Sequence, residues 1–335
     1  MLEHGGKLRQ AAEQYGVALN DWLDLSTGIN PCGWPVPTIP EAVWRRLPED
    51  NDGLEDAAHA YYQTDILLAV SGSQAAIQAL PLLRPRGRVH VLAPTYAEHA
   101  YAWKQCGHPV TLIATEEIDN SANTSDVLVL VNPNNPTGHR WSKRQLLDWH
   151  AKLQARDGWL IVDEAFMDAT PADSLAPHCP LPGLIVLRSL GKFFGLAGAR
   201  VGFVLAAANV LSELQNKLGP WTVTGPSRWL ATQALADYAW QQHARNNLAY
   251  AQQQLEGLLK DAGLTPTGGT ALYQWVITHN ARQYHHALAQ QGILTRLFEH
   301  PPSLRFGLPG TPQQWERLRS ALRDIPVGYS ELKTY

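Results

Sequence analysis

The sequence predicts an α/β protein with a mainly parallel central sheet flanked by helices and a smaller α+β domain. Three observations point there. Short apolar segments alternate with amphipathic stretches up to about residue 226, several of those segments run directly into Gly-, Asn- or Asp-containing turns, and the remainder changes to alanine- and glutamine-rich helix followed by strand and helix patterns. In a sheet of this kind, ligands gather at the carboxyl ends of the strands.

Taken in order, residues 69–77 read as strand, small-residue turn and helix, and four further apolar segments, 89–93, 127–131, 159–162 and 184–187, read as buried strands. Between them, 142–155 reads as a helix that Ser142 can cap, with Leu146, Leu147, Trp149, His150 and Leu153 on one face. A long helix is expected over 227–262, then strand 271–277, helix 281–291, strand 303–307 and helix 313–323. The expected division is a large domain over 38–226 and a small domain made of 1–37 and 227–335, with 26–40 an ordered loop crossing between them.

Composition narrows the function. The chain has 335 residues and a formal charge of −3, with no lysine-arginine block, which argues against a nucleic-acid partner and for a small molecule or a second copy. Apolar runs fall far short of the roughly 20 residues that cross a bilayer. The start, MLEHGGKLRQ, lacks the apolar core of a signal peptide, so a cytoplasmic protein is expected. Cys32, Cys106 and Cys179 are widely spaced and form no CxxC, and they read as buried thiols rather than staples or metal ligands. Most of the 12 tryptophans are expected in the core or a dimer interface.

The segment SLGKFFGLAGAR, residues 189–200, places Lys192 among glycines and phenylalanines. Desolvation lowers an amine's basicity and makes it a nucleophile able to form a Schiff base. Ser189 and Arg200 can both reach a phosphate, the arginine with two parallel hydrogen bonds. Together they describe a lysine that holds an aldehyde cofactor bearing a phosphate, pyridoxal phosphate, although a solvated loop lysine is the ordinary alternative for any single Lys.

Other segments bear on that choice. In WLIVDEAF, Asp163 ends a strand, where a carboxylate can keep a pyridine nitrogen protonated; metal binding or helix capping are the alternatives. VNPNNPTG is a proline-stiffened turn whose Asn135 can hydrogen-bond a phenolic oxygen. In AVSGSQAAI the backbone N–H groups of Gly72, Ser73 and Gln74 open a helix and can cradle an anion. Neither GxxxxGK[ST] nor GxGxxG is present there, which weakens nucleotide readings. Tyr96, in APTYAEH, can stack on a cofactor ring or be an ordinary interface tyrosine.

In this order the motifs resemble the PLP-dependent aminotransferase superfamily with the aspartate-aminotransferase fold, over nearly the whole chain. The resemblance implies that Lys192 is the Schiff-base lysine, Asp163 pairs with the pyridine nitrogen, Asn135 contacts O3′ and Tyr96 stacks on the ring. It assigns the cofactor phosphate to Gly72, Ser73, Gln74, Ser189 and Arg200, and it implies a homodimer. Within the superfamily the chain is most similar to the branch of histidinol-phosphate aminotransferases and threonine-phosphate decarboxylases. EHGGKL at 3–8, DLSTGINPCG at 24–33 and GPWTV at 219–223 favour the decarboxylases.

That resemblance implies substrate contacts from His4, Asn30, Arg296 and Arg305, with His4 and Arg296 near the substrate phosphate and Arg305 on its carboxylate. Taken by itself, His4 also reads as a frayed terminal residue. Two departures stand out: Phe166 replaces the tyrosine of typical aminotransferases, and Leu47 stands near where many relatives present a tyrosine to the partner subunit's phosphate. The implied activity is decarboxylation of L-threonine O-3-phosphate to (R)-1-amino-2-propanol O-2-phosphate in cobalamin biosynthesis. Transamination by a histidinol-phosphate or other amino-acid aminotransferase is the alternative.

Overall fold

The computed structural model describes residues 3–325. By packing, these residues form two units, one of Gly33–Asn135 and His139–Arg245, the other of the residues through Cys32, Pro136–Gly138 and those from Asn246 onward. The later change of unit falls inside a continuous helix, Tyr238–Asp261, where no shift of composition marks it.

The larger unit is built on seven strands: β1 (Leu68–Val70), β2 (Val89–Leu92), β3 (Val110–Ile113), β4 (Val127–Val131), β5 (Trp159–Asp163), β6 (Leu184–Ser189) and β7 (Gly202–Ala206). Their order across the sheet is β1-β7-β6-β5-β4-β2-β3, and β7 alone runs against the others. Val127, Val129, Ile161, Ile185, Leu187 and Val204 join one buried cluster on one face, with Ala76, Ile77 and Leu214 from the helices above. The alternate residues Leu128, Leu130, Leu160 and Val162 are buried too, so both faces are covered. This double burial is why the strands read as unbroken apolar runs.

Register aligns the functional end of the sheet. Val131 pairs with Asp163, Asp163 with Leu187, and Gly202 with both Ser189 and Val70. The ends of β1, β4, β5 and β6 therefore open on one edge. Strands β3 and β7 were not read from the sequence. In β3, Thr111 and Leu112 are exposed at the sheet edge, and the apolar run of β7 merges with the motif that carries Arg200.

The expected helix over 142–155 is Lys143–Gln154, capped by Ser142, whose Oγ accepts the Gln145 N–H. The single helix expected over 227–262 is two, Gly225–Ala236 and Tyr238–Asp261. Asp237 interrupts it, with φ −87° and ψ 75° and a carboxylate that accepts from the Trp240 N–H and from Trp34 Nε1. A short acceptor side chain of this kind competes with the helical ladder and favours a cap.

The smaller unit carries an antiparallel sheet of β8 (Gly268–Thr270), β9 (Tyr273–Ile277), β10 (Arg296–Glu299) and β11 (Pro302–Gly307), in the order β10-β11-β9-β8. The strand expected over 271–277 is thus the second arm of a hairpin. Helices Leu8–Tyr15, Ala281–Gln290 and Pro312–Asp324 belong to this unit, and Ala11, Trp22, Ala289 and Leu294 form a satellite core. The HGG segment is anchored rather than frayed. The Gly6 N–H donates to Ser26 Oγ at 2.8 Å, and Gly5 lies so close to the Ser26 carbonyl that no side chain fits there.

The three cysteines form no disulfide. Cys179 is buried as expected, but Cys32 is exposed, because it sits on a turn whose Asn30 Oδ1 accepts the Cys32 N–H. Among the described residues no helix is long and apolar enough to cross a membrane.

Candidate active site

Where the ends of β1, β4, β5 and β6 meet, a cavity of about 150 Å³ is lined by Gly72, Ser73, Gln74, Tyr96, Asn135, Asp163, Ser189, Lys192 and Arg200. These are all nine residues that the sequence assigns to a cofactor, and they come from five separate segments of the larger unit.

Asp163 is the last residue of β5 and is buried. Its Oδ1 accepts the Ala165 N–H at 3.0 Å, and its Oδ2 lies 2.9 Å from His99 Nε2. His99 is a site residue that the sequence reading missed. It falls one helical turn after Tyr96, in the first turn of Glu98–Gln105, and that spacing was the available signal. The rings of Tyr96 and His99 meet edge to face with centroids 6.0 Å apart. Burial, with help from Glu98 and Asp163, pushes the Tyr96 hydroxyl up to about 12, so it stays a neutral donor, and it donates to Gln74 Oε1 at 3.2 Å.

Lys192 follows β6 on a loop in which Phe193 and Phe194 are fully buried, anchored by Trp240 against both rings. Its Nζ lies 5.5 Å from the centre of the Phe166 ring, so the residue that departs from tyrosine forms an apolar wall beside the amine. At the opposite boundary, Gly72 has φ +70° and faces Arg200; a Cβ at Gly72 would come within 2.8 Å of Nη2. Gly72 caps the helix Ser73–Ala79, whose first N–H groups point out at its start.

Behind the cavity, Arg188 is fully buried between two carboxylates, 2.6 Å from Glu164 Oε2 and also bonded to Asp168. Ser174 Oγ and the Leu175 N–H complete the shell of Glu164. The turn that follows Asp163 is therefore tied to β6 from inside.

The donor set fits pyridoxal phosphate. A lysine amine, a buried carboxylate, a tyrosine ring and an asparagine line one cavity, and a glycine with no room for a side chain faces an arginine there. Among the described residues no group of three or more His, Cys, Asp or Glu is placed to hold a metal ion.

The smaller unit holds the four residues assigned to substrate. His4 and Arg296 line a cleft of about 430 Å³. Arg296 donates to the Glu3 carbonyl at 2.5 Å, and burial lowers its guanidinium from the usual arginine range. Arg305 pairs across the sheet with Arg296 and donates to the Ser26 carbonyl at 2.6 Å. Its burial pushes it down to about 10. Asn30 is buried and its Oδ1 holds the turn at Cys32. The structure thus brings His4 and Arg296 into one cleft, while Arg305 and Asn30 lie inside the unit and not along it.

A doubly covered, mainly parallel sheet with a lysine and a carboxylate at its strand ends defines the class. Residues 45–322 match the family described as aminotransferase class I and II, and the chain belongs to that family. It is 55 % identical over 331 residues to a threonine-phosphate decarboxylase of Pseudomonas aeruginosa, covering 99 % of each chain. It is 41 % identical to a threonine-phosphate decarboxylase of a Sinorhizobium species, covering 96 % of this chain and 97 % of that one. A solved histidinol-phosphate aminotransferase from Sinorhizobium meliloti, in complex with pyridoxal-5′-phosphate, superposes with a TM-score of 0.80 at 19 % identity, covering 97 % and 99 %. This last likeness bears on the fold alone.

Proposed function

We propose that the protein is a pyridoxal-phosphate-dependent decarboxylase that converts L-threonine O-3-phosphate to (R)-1-amino-2-propanol O-2-phosphate and CO2, a step of cobalamin biosynthesis. The observation that carries the chemistry is the convergence of Lys192 and Asp163 on one cavity. The full-length likeness to two threonine-phosphate decarboxylases favours decarboxylation over transamination.

Pyridoxal phosphate, when bound, supplies a conjugated ring that draws electrons from the substrate's α carbon. Lys192, on the cavity wall, would supply the amine that holds the cofactor by its aldehyde. Asp163, fixed by His99 and the Ala165 N–H, holds a proton at the ring nitrogen. Asn135 and Tyr96 orient the ring, and Gly72, Ser73, Gln74, Ser189 and Arg200 hold its phosphate. The phenyl ring of Phe166 offers no hydroxyl to the cofactor, in keeping with the decarboxylase resemblance.

Substrate orientation is assigned to the smaller unit: His4 and Arg296 on the phosphate, Arg305 on the carboxylate, Asn30 through its turn. Holding both ends of one small molecule decides which bond at Cα breaks. Lys192 is also the residue assigned to return a proton to Cα after CO2 leaves. A homodimer is part of the proposal; Trp44, Leu47 and Trp221, 64 %, 65 % and 60 % exposed on the larger unit, are the kind of surface that a second copy covers.

The test is stoichiometric CO2 release from L-threonine O-3-phosphate without any 2-oxoacid. Turnover that requires a 2-oxoacid and passes amino groups to it overturns the decarboxylase reading and leaves an aminotransferase.

A further inference from the structure

The cleft that holds His4 and Arg296 contains one more group suited to an anion. His285, on the helix Ala281–Gln290, lines the same cleft. Its Nδ1 lies 2.9 Å from Thr295 Oγ1, which fixes the plane of the ring. Among the described residues Nε2 has no hydrogen-bond partner.

We propose that His285 is a third ligand of the substrate's phosphate monoester, its Nε2 taking up a solvent proton as the dianion enters and then donating a hydrogen bond to it. This rests on the reading of His4 and Arg296 as the phosphate end of the substrate site.

The surroundings argue for an anion. From the N-terminal segment come Glu3, His4 and Lys7; from the helix Leu8–Tyr15, the Tyr15 hydroxyl; from the helix of His285, Arg282 and His286; from β10, Arg296 and Glu299. Arg282 and Glu299 pair with each other at 2.6 Å, and His286 Nδ1 lies 3.3 Å from Tyr15 Oη. Arg296 has only a distant carboxylate, Glu3 Oε2 at 4.0 Å, and it stands opposite a second arginine, Arg305, in the sheet. Like charges paired across strands are unfavourable unless something negative sits near them. Burial first, then Arg296 and His286, hold the His285 imidazole below its ordinary value against the opposing pull of Glu3, which favours its neutral form while the cleft holds no anion. A dianion reverses the sign of the local field and favours the imidazolium.

The probe is isopropyl phosphate, which carries the phosphate-bearing end of the substrate without the amine or carboxylate that would react. Holoenzyme is titrated with it calorimetrically in buffers of different ionisation enthalpy near pH 8, where a monoester with a second pKa of about 6 is already a dianion. Any proton taken up then goes to the protein. The expected result is proton uptake that His285→Gln abolishes, with affinity falling about tenfold, whereas His4→Gln binds more weakly but keeps the uptake and His286→Gln keeps both. Unchanged uptake and affinity in His285→Gln overturn the assignment. If Arg296→Met loses binding in that case, the phosphate reading stands without His285; if Arg296→Met and His4→Gln are also silent, or wild type does not bind, that reading falls as well. Should His285→Gln fail to fold by thermal melting, Thr295→Val, which keeps the imidazole but removes its orienting hydroxyl, is expected to weaken binding several-fold, and unchanged binding overturns the proposal.

Discussion

His99 Nε2 stands 2.9 Å from Asp163 Oδ2, with the two side chains 2 % and 4 % exposed. A carboxylate held on one oxygen by an imidazole and on the other by a backbone N–H has little freedom to turn. Asp163→Asn keeps the shape and removes the charge, and kcat is expected to fall about 10²–10³-fold. His99→Asn leaves the carboxylate less constrained, with an expected loss of about tenfold. Steady-state kinetics on folded, cofactor-loaded variants decide it: equal activity of wild type and Asp163→Asn removes Asp163 from the chemistry.

Gly72 and Arg200 meet too closely for a methyl group between them. Gly72→Ala places a Cβ 2.8 Å from the guanidinium at a backbone with φ +70° and ψ 156°, a conformation adopted almost only by glycine and costing other residues about 1–3 kcal/mol. The expected outcome is a displaced Arg200 and weaker retention of pyridoxal phosphate, and Arg200→Met should weaken it about tenfold or more through the lost charge-assisted hydrogen bonds. Equilibrium dialysis against the cofactor, followed by absorbance, reads both. Retention equal to wild type in Arg200→Met moves the phosphate elsewhere.

The cluster around Arg188 sets a stability prediction. Arg188 and its partners Glu164 and Asp168 are 1 %, 0 % and 0 % exposed, and the guanidinium also lies 4.7 Å from the centre of the Tyr62 ring. Burial raises Glu164 while Arg188 opposes the shift. Arg188→Met leaves two buried carboxylates without their cation and is expected to cost about 3–5 kcal/mol in denaturant unfolding. Adding Glu164→Gln and Asp168→Asn to that variant should recover much of the loss. A single variant as stable as wild type shows that the ion cluster contributes nothing net.

Two histidines give the fold a pH dependence. Burial is the first cause that lowers both His90, whose Nδ1 lies 2.7 Å from Ser125 Oγ, and His285. A group whose folded-state value is depressed binds fewer protons when folded than when unfolded within that interval. The stability it contributes is present above the ordinary imidazole value of 6.5 and is lost as pH falls below it. The thermal midpoint should therefore drop from neutral to mildly acidic pH, with a shallower drop in the His90→Gln, His285→Gln double variant. A slope unchanged by the double substitution assigns the acid sensitivity to the carboxylates.

Much of this was open to reading before any coordinates. The run Val127–Val131 announced a doubly covered strand because every side chain in it had to leave water. Ser142 announced a helix start because its hydroxyl can accept an N–H that the helix leaves unpaired. Elsewhere local pattern failed for physical reasons. The amphipathic edge strand β3 buries too little to look like a strand, and the break at Asp237 depends partly on a tryptophan, Trp34, more than two hundred positions earlier.

The sequence by itself determined the mainly parallel α/β architecture and the chemical inventory at its strand ends, because those are written in short-range spacing: an apolar run that ends on Asp163, or an apolar run followed by a turn that carries Lys192. Tertiary structure alone decided which of those groups meet. His99 reaches Asp163 across 64 positions and Arg296 reaches Glu3 across 293. No period or motif encodes such pairings, since they follow from strand order, register and the burial that closes each unit upon itself.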